Sequence, residues 1–224
     1  MKKITIAIVS LFLTFGFSLA NAIDLNGRIS IGASGNYAVY TGEGKESNYD
    51  VNGSLEQAVT KDGIFTNTHY SVFLEGNLTD NFSIGVDYVP MAIDTPGKTN
   101  QGEGGDGTDR ITAQVDFEDH TSVYLLAKAS NGLYAKLGFI SVDIITNEHN
   151  TSADYANQET DGYLFGLGYE RDLDNLALRF ELVGSAYDDV QATNGKAKGE
   201  ADANVIDVTG MYGVQAKISV VKTF

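Results

Sequence analysis

The chain has 224 residues with 25 Gly, 2 Pro and no Cys or Trp, and its length predicts one domain, or at most two small ones. Its 15 basic and 30 acidic side chains give a formal net charge of −15, which argues against a nucleic-acid partner because phosphate contacts need Lys and Arg. The absence of Cys excludes a disulfide scaffold, a thiolate zinc site and a thiol nucleophile.

The first 22 residues have the composition of a secretory signal peptide. Lys2 and Lys3 precede an apolar run over 4–17, and small residues occupy the A-x-A positions at Ala20 and Ala22. The run is shorter than the roughly 20 residues that a membrane-spanning helix needs. We therefore expect cleavage after Ala22, export from the cytoplasm, and a single mature domain over 23–224.

Eight segments of the mature chain alternate apolar and polar residues with a period of two, which is typical of strands with two unlike faces. In chain order they cover about 25–40, 70–78, 82–88, 111–129, 135–139, 163–169, 176–186 and 212–224. Three connections are tight, near 79–81, 130–132 and 171–175, and four are long and polar, near 41–66, 91–109, 146–160 and 188–206. Short and long connections alternate strictly, as they do in outer-membrane barrels with short periplasmic turns and long outward loops.

The sequence resembles the small outer-membrane β-barrel superfamily, the OmpA/OmpX/OmpW-like group. The resemblance rests on the leader, the eight amphipathic strands, and a last strand from Tyr212 that ends in an aromatic residue, Phe224. It implies that Tyr212 and Phe224 belong to the signal read by the barrel-assembly machinery. It also implies outer-membrane lipid and lipopolysaccharide as surroundings. We predict an all-β fold, a monomeric eight-stranded antiparallel up-and-down barrel in the outer membrane.

Charges on the polar parity of the strands indicate which face points inward. A Lys or Arg facing lipid costs about 2–4 kcal/mol near the bilayer midplane, and an eight-stranded barrel is just wide enough for its side chains to fill. The alternative is a soluble barrel with an apolar core. We predict instead that the following residues pair in the lumen as an ionic network that closes it: Arg28, Glu75, Asp87, Lys128, Lys136, Glu170, Arg179, Glu181 and Lys217.

Glu118, His120 and Ser122 are weak candidates for catalysis. They share one parity of the fourth strand, and His-x-Ser resembles the dyad of outer-membrane lipid A deacylases. Residues two apart on a strand are separated by roughly 6.5–7 Å, which strains a direct proton relay. Their parity is also the predicted lumen side, whereas a deacylase has to meet lipid. A protease of the omptin type needs paired acids at the outer rim, and Asp188 and Asp189 are adjacent and point to opposite sides.

The four long connections hold 16 of the acidic residues and only five Lys. One hypothesis is divalent-cation capture by loop carboxylates such as Glu103, Asp106 and Asp109, and the other is a solvated, soluble surface. The spacing matches no known metal motif, and we expect no cofactor and no enzyme. Three functions stay open: a structural or surface-interaction role, a narrow channel for small or hydrophobic solutes, and a lipid A deacylase or protease.

Overall fold

The computed structural model of the chain describes residues 28–96, 98–101, 110–149, 155–200 and 203–224. The predicted leader, with Ala20 and Ala22, and the loop carboxylates Glu103, Asp106 and Asp109 lie outside the described residues. Within the described ranges no helix is long and apolar enough to cross a membrane.

The described residues form eleven strands. Eight of them are long, and three are short pieces at one end of the molecule. Their bounds are β1 Ile29–Tyr49, β2 Leu55–Asn77, β3 Phe82–Tyr88, β4 Ile93–Asp94, β5 Lys98–Gln101, β6 Arg110–Lys128, β7 Leu133–His149, β8 Gln158–Leu173, β9 Leu176–Tyr187, β10 Val190–Thr193 and β11 Ala203–Thr223.

Eight strands form a closed ring in the order β1-β2-β3-β6-β7-β8-β9-β11, and every neighbouring pair is antiparallel. The ring closes where β11 pairs with β1, from Ser30↔Thr223 to Tyr49↔Ala203. The short strands β4 and β5 pair with β6, and β10 pairs with β11, at the end where the connections are long. We call this the upper or outer end of the barrel, and the end with the short turns the lower end. The predicted fold class, an eight-stranded antiparallel up-and-down barrel, is confirmed.

The outer face of the wall is apolar, and the inner face is small or polar. On β1, Ile31 and Tyr37 are exposed, while Ser34 and Asn36 between them are buried. A continuous exposed apolar band is the mark of a lipid-facing surface, which contradicts the alternative of a soluble barrel with an apolar core. The large exposed side chains of this band include Tyr70, Val72, Leu125, Leu137, Phe139, Tyr163, Phe165, Leu167, Phe180, Leu182, Tyr212, Val214, Ile218 and Val220.

The long polar connections are shorter than the sequence predicts, because strands continue into them. β1 runs on to Tyr49 and β2 begins at Leu55, so most of 41–66 is a protruding β-hairpin. Its turn is fixed by Asp50, whose Oδ1 accepts hydrogen bonds from the backbone N–H of Asn52 and of Ser54 at 2.9 and 2.7 Å. On the β2 side of this hairpin, residues of both parities are exposed from Leu55 to Ile64, so the apolar–polar alternation stops there although the backbone pairing continues.

Two bulges reverse which parity of a strand points inward. On β6 the register shifts between Glu118 and Thr121, and Asp119 at the bulge has a φ of 50°. Ser122 faces the lumen below this point, whereas Val115 and Phe117 line the interior above it. The expectation that 111–129 is one strand with two unlike faces along its whole length is therefore wrong, because a bulge inserts one extra residue into the alternation. A second shift on β11 accompanies Gly210, with a φ of 59°.

Several inward glycines make room for aromatic rings on the neighbouring strand. Gly85 lies directly across from Tyr124, and a Cβ built on Gly85 would come within 2.5 Å of the Tyr124 ring. The same cross-strand arrangement pairs Gly32 with Phe73 and Gly168 with Tyr134. The glycines of the inner parity thus allow large rings to lie flat against the wall of a narrow barrel.

Candidate functional site: a charged layer beneath an apolar cavity

The lower half of the lumen is filled by a layer of paired charges centred on Arg179. Its Nη1 and Nη2 donate to the two carboxylate oxygens of Glu75 at 2.5 and 2.7 Å, and its Nε donates to Glu170 at 2.5 Å. Lys128 also donates to Glu170, at 2.6 Å. Tyr124 donates its hydroxyl hydrogen to Glu75 at 2.8 Å, and Glu75 is 0% exposed. The fork of Arg179 is well suited to holding two carboxylates at once.

Two further ion pairs complete this layer, which we call the ionic plug. Lys136 donates to Glu181 at 2.5 Å, and Lys217 is paired with Asp87. The Lys136 ammonium also lies 4.6 Å from the centroid of the Tyr124 ring, a cation–π contact. The plug thus contains four cations and four anions, so its formal charge is balanced.

The structure brings eight of the nine predicted lumen residues into these contacts. Arg28 is the exception: it is exposed at the end of the barrel with the short turns, where its carbonyl accepts a hydrogen bond from the Asn77 N–H at 2.8 Å. A polar row borders the plug, in which Asn36 bonds Ser71 at 3.3 Å and Lys217 also donates to Ser71 at 3.0 Å. Buried side chains therefore fill the lumen at this level.

Above the plug the lumen widens into a cavity of about 680 Å³. Three aromatic rings from three strands form a stacked series along it: Tyr40 lies 5.2 Å from Phe65, and Phe65 lies 6.2 Å from Phe117, between ring centroids. The remaining wall is largely aliphatic. It includes Ile93, Val115, Ile144, Ile206, Val208 and Met211.

Polar groups lie at several places along the cavity wall, which includes Lys61, Asp62, Thr95, Thr146 and Gln158 as well as Tyr40, His120 and Tyr187. The His120 Nε2 and the Tyr187 hydroxyl are 3.1 Å apart and form one hydrogen bond. Tyr40 lies over Gly213 on β11, where a Cβ would come within 2.9 Å of its ring. In the part of the chain that the structure describes, the Tyr40 hydroxyl has no hydrogen-bond partner. Tyr40 therefore lies on the inward face of β1.

Solved structures share this arrangement of strands. OprG of Pseudomonas aeruginosa, an outer membrane protein, matches with a TM-score of 0.56 and 11% identity over 89% of this chain and 98% of that chain. This chain has the outer-membrane β-barrel fold. The barrel also matches AlkL in lipid bilayers (TM-score 0.47, 14% identity, 91% and 93% covered) and the outer membrane protease OmpT of Escherichia coli (0.43, 10%, 87% and 97%). No protein-family model and no curated protein sequence matches it.

The outer-membrane barrel separates the three weak catalytic candidates. Glu118 is exposed and precedes the bulge on β6. His120 lines the cavity. Ser122 is buried and lies directly across from Asp87, a residue of the ionic plug. The three residues share one parity of the sequence but do not share one face of the barrel, because the bulge at Asp119 lies between Glu118 and His120. No acid–His–Ser relay is assembled among these described residues.

The remaining predicted residues lie where the barrel meets its surroundings. Tyr212 and Phe224 both point outward and are exposed, and the Phe224 N–H donates to the Ile29 carbonyl at 2.8 Å, which holds the last residue in the closing seam. Their part in barrel insertion stays a prediction. Asp188 and Asp189 are exposed at the rim. Among the described residues no group of three or more His, Asp or Glu is arranged to hold a metal ion.

Sequence reasoning missed the cavity, although it weighed hydrophobic solutes as an alternative. One signal in the sequence could have indicated it. Val115 and Phe117 have the opposite parity from Tyr124, and the polar run Glu118-Asp119-His120 lies between them and Tyr124. A run of three polar residues inside a strand is consistent with a bulge, but only the register against β7 shows that the alternation changes there.

Proposed function

We propose that this protein is an integral outer-membrane barrel that binds a small apolar molecule in its outer cavity. The observation that carries the proposal is the cavity of about 680 Å³ with its aromatic and aliphatic lining. That volume falls in the range of drug-sized ligand pockets, which are mostly apolar with a few polar groups. The ionic plug argues against free ion flow through the lumen, so the cavity supports binding rather than an open pore.

The proposal joins two of the functions that the sequence leaves open. The bound hydrophobic molecule corresponds to the solute of the channel hypothesis. The closed lumen corresponds to the structural or surface-interaction hypothesis. We further propose that the chain is exported with cleavage after Ala22, inserted by the assembly machinery as a monomer among lipopolysaccharide, and neither enzymatic nor cofactor-dependent. The bulge that lies between Glu118 and His120 supports the non-enzymatic part.

Methionine-methyl NMR of the barrel in lipid nanodiscs tests the proposal. Removal of the leader leaves two Met residues, of which Met211 lines the cavity and Met91 does not. Titration with octane should shift the Met211 methyl signal in a saturable manner and leave Met91 as an internal control. Equal behaviour of the two signals would contradict a ligand site in the cavity.

A pair of Trp substitutions on one strand provides the matched control. Val208→Trp places a large ring in the cavity, whereas Val214→Trp adds the same ring to the lipid-facing side of β11. The first should abolish the octane-dependent shift of Met211, and the second should leave it intact. Retention of the shift in Val208→Trp would locate the ligand elsewhere.

A further inference from the structure

The rings that line the cavity give way to bare backbone along two paired strands. Tyr40 on β1 lies directly across from Phe65 on β2, and the two rings stack with their centroids 5.2 Å apart. Two positions further along each strand, the next pair on the same face is Gly42 and Gly63, and both line the cavity. Because residues two apart on a strand are separated by roughly 6.5–7 Å, the glycine pair leaves a space about one ring wide beside the stacked rings.

Neither backbone conformation nor packing explains Gly63, or Gly44 on the neighbouring strand. Both lie in regular strand, unlike Gly210 with its φ of 59°. In the lower half, an inward glycine such as Gly85 makes room for a ring of the protein, since a Cβ there would come within 2.5 Å of Tyr124. In the part of the chain that the structure describes, a Cβ on Gly63 would meet nothing closer than 3.7 Å, and one on Gly44 nothing closer than 3.9 Å, apart from their chain neighbours. Such a glycine is typical of a place where a ligand approaches the backbone closely.

The wall over these glycines favours a flat ligand. A planar ring lies with its whole face against bare peptide groups, whereas a puckered saturated ring touches them only through its axial hydrogens. A ring over Gly42 and Gly63 would also extend an existing row, in which the planes of Phe65 and Phe117 are only 4° apart. Offset stacking of this kind is the arrangement that aromatic pairs prefer. Met211 borders the same space, because its Cγ is 3.3 Å from the position of a Cβ on Gly42.

The polar groups of the cavity wall are compatible with an aromatic ligand. Three of them donate a hydrogen bond to a backbone carbonyl within 2.9 Å and are thus bonded within the protein: Thr95, Thr146 and Gln158. Lys61 lines the cavity directly across from Gly44. A cation beside an aromatic face is attracted to it, whereas a saturated hydrocarbon offers the Lys61 ammonium no such contact. Asp62 lies between Lys61 and Gly63 and therefore belongs to the opposite face of β2.

We propose that the ligand of this cavity is a planar aromatic molecule of one or two fused rings, seated over Gly42 and Gly63 beside the Tyr40–Phe65 stack. This inference rests on the proposed function and adds the shape and chemical class of the ligand. The face of the ligand lies on the backbone of β1 and β2, and its edge contacts Met211.

The first test compares naphthalene with decalin, which has the same carbon skeleton but is saturated and puckered. Titration of the Met211 methyl signal in lipid nanodiscs measures both affinities, each referred to the concentration of ligand dissolved in the lipid, which removes their difference in hydrophobicity. We expect naphthalene to bind about fivefold more tightly, the order of one aromatic stacking contact. Equal affinities, or tighter binding of decalin, would overturn the inference.

Gly63→Ala and Gly35→Ala provide the matched pair of variants. Both add a methyl group to a strand without a clash, over the cavity in the first and on the lipid-facing side of β1 in the second. Gly63→Ala should weaken naphthalene binding about tenfold, because the methyl group occupies the place of the ring, and should change octane binding by about twofold or less, because a flexible chain can shift aside. Gly35→Ala should match wild type with every ligand.

The outcomes separate this inference from the proposed function. If Gly63→Ala binds naphthalene as wild type does, the aromatic inference is wrong, while saturable octane binding keeps the proposed function. If none of the three ligands shifts the Met211 signal, both are wrong. Unchanged heat-modifiable gel mobility of Gly63→Ala verifies that the variant is folded.

Discussion

The same strands enclose both halves of this lumen, yet side chains fill one half and line a cavity in the other. In the lower half, inward charges on β2, β7, β8 and β9 pair across the barrel, and rings such as Tyr124 lie over inward glycines. In the outer half, the inward side chains are aliphatic or aromatic and line a cavity. Barrel diameter alone therefore does not decide whether an eight-stranded barrel is plugged.

One extra residue on each of two strands, β6 and β11, contributes to this difference. Below its bulge β6 presents polar or buried groups such as Ser122 inward and apolar groups outward, as a lipid-facing strand requires. Above the bulge the alternation is displaced by one residue, so Val115 and Phe117 point inward. At this level the outer face of the strand need not be apolar, because it lies beyond the lipid-facing band. Bulges are known to re-aim side chains at the rims of barrels, and here they convert a plugged lumen into a cavity.

The largest expected effect comes from breaking the centre of the ionic plug. Arg179→Ala leaves Glu75 and Glu170 buried without their guanidinium partner, and loss of one member of a buried ion pair costs about 3–5 kcal/mol. We expect the urea midpoint for loss of heat-modifiable mobility to fall sharply. Arg171→Ala, at an exposed position next to Glu170 on β8, should change stability by no more than about 0.5 kcal/mol. A similar midpoint for both variants would contradict a stabilising role of the plug.

A smaller effect is expected where a ring lies over a glycine in the lower half. Gly85→Ala forces a Cβ within 2.5 Å of the Tyr124 ring, and such overpacking typically costs about 1–3 kcal/mol. Gly35→Ala is the matched control, because a Cβ there meets nothing within 4 Å. Urea unfolding in the same lipid should show destabilisation in the first variant only. Equal stability of the two would mean that the ring moves aside without penalty.

The prediction with the smallest effect concerns the outer half. Asp94 and Asp116 face one another directly across β4 and β6, and like charges in that position are destabilising by about 0.2–1 kcal/mol. Burial, followed by the charge of Asp94, raises the pKa of Asp116. A raised carboxyl pKa means that this repulsion is present above the raised value and is relieved as pH falls through it.

Hydrogen exchange at the Thr95 amide measures this effect locally, because its N–H donates to the Val115 carbonyl at 2.9 Å. Asp94→Asn should slow the exchange at neutral pH up to about fivefold, with less difference from wild type at low pH. Asp80→Asn, in an exposed turn at the opposite end, serves as the control. Faster exchange in Asp94→Asn would show that the carboxylate helps rather than hinders the pairing.

The barrel and most of the plug are predictable from sequence because a lipid-facing wall imposes strict alternation. Once the apolar parity is assigned to lipid, residues such as Glu75 and Arg179 have only the lumen to occupy. Outside the bilayer that constraint ends, so the sequence indicates loops where the structure has the hairpin of β1 and β2. The cavity was beyond reach for the same reason, since the displacement at Asp119 is defined by pairing with β7 and not by residue type.

The most direct test of the central claim, that the lumen is closed below and accessible above, is thiol labelling with a charged, membrane-impermeant reagent. The chain has no Cys, so single substitutions are sufficient. Val208→Cys in the cavity should react readily from outside, and Ser34→Cys, buried on the inner face of β1 beside Ser219, should stay unreactive in the folded barrel. Comparable labelling at both positions would contradict the account, because it would mean that water and solutes pass the ionic plug.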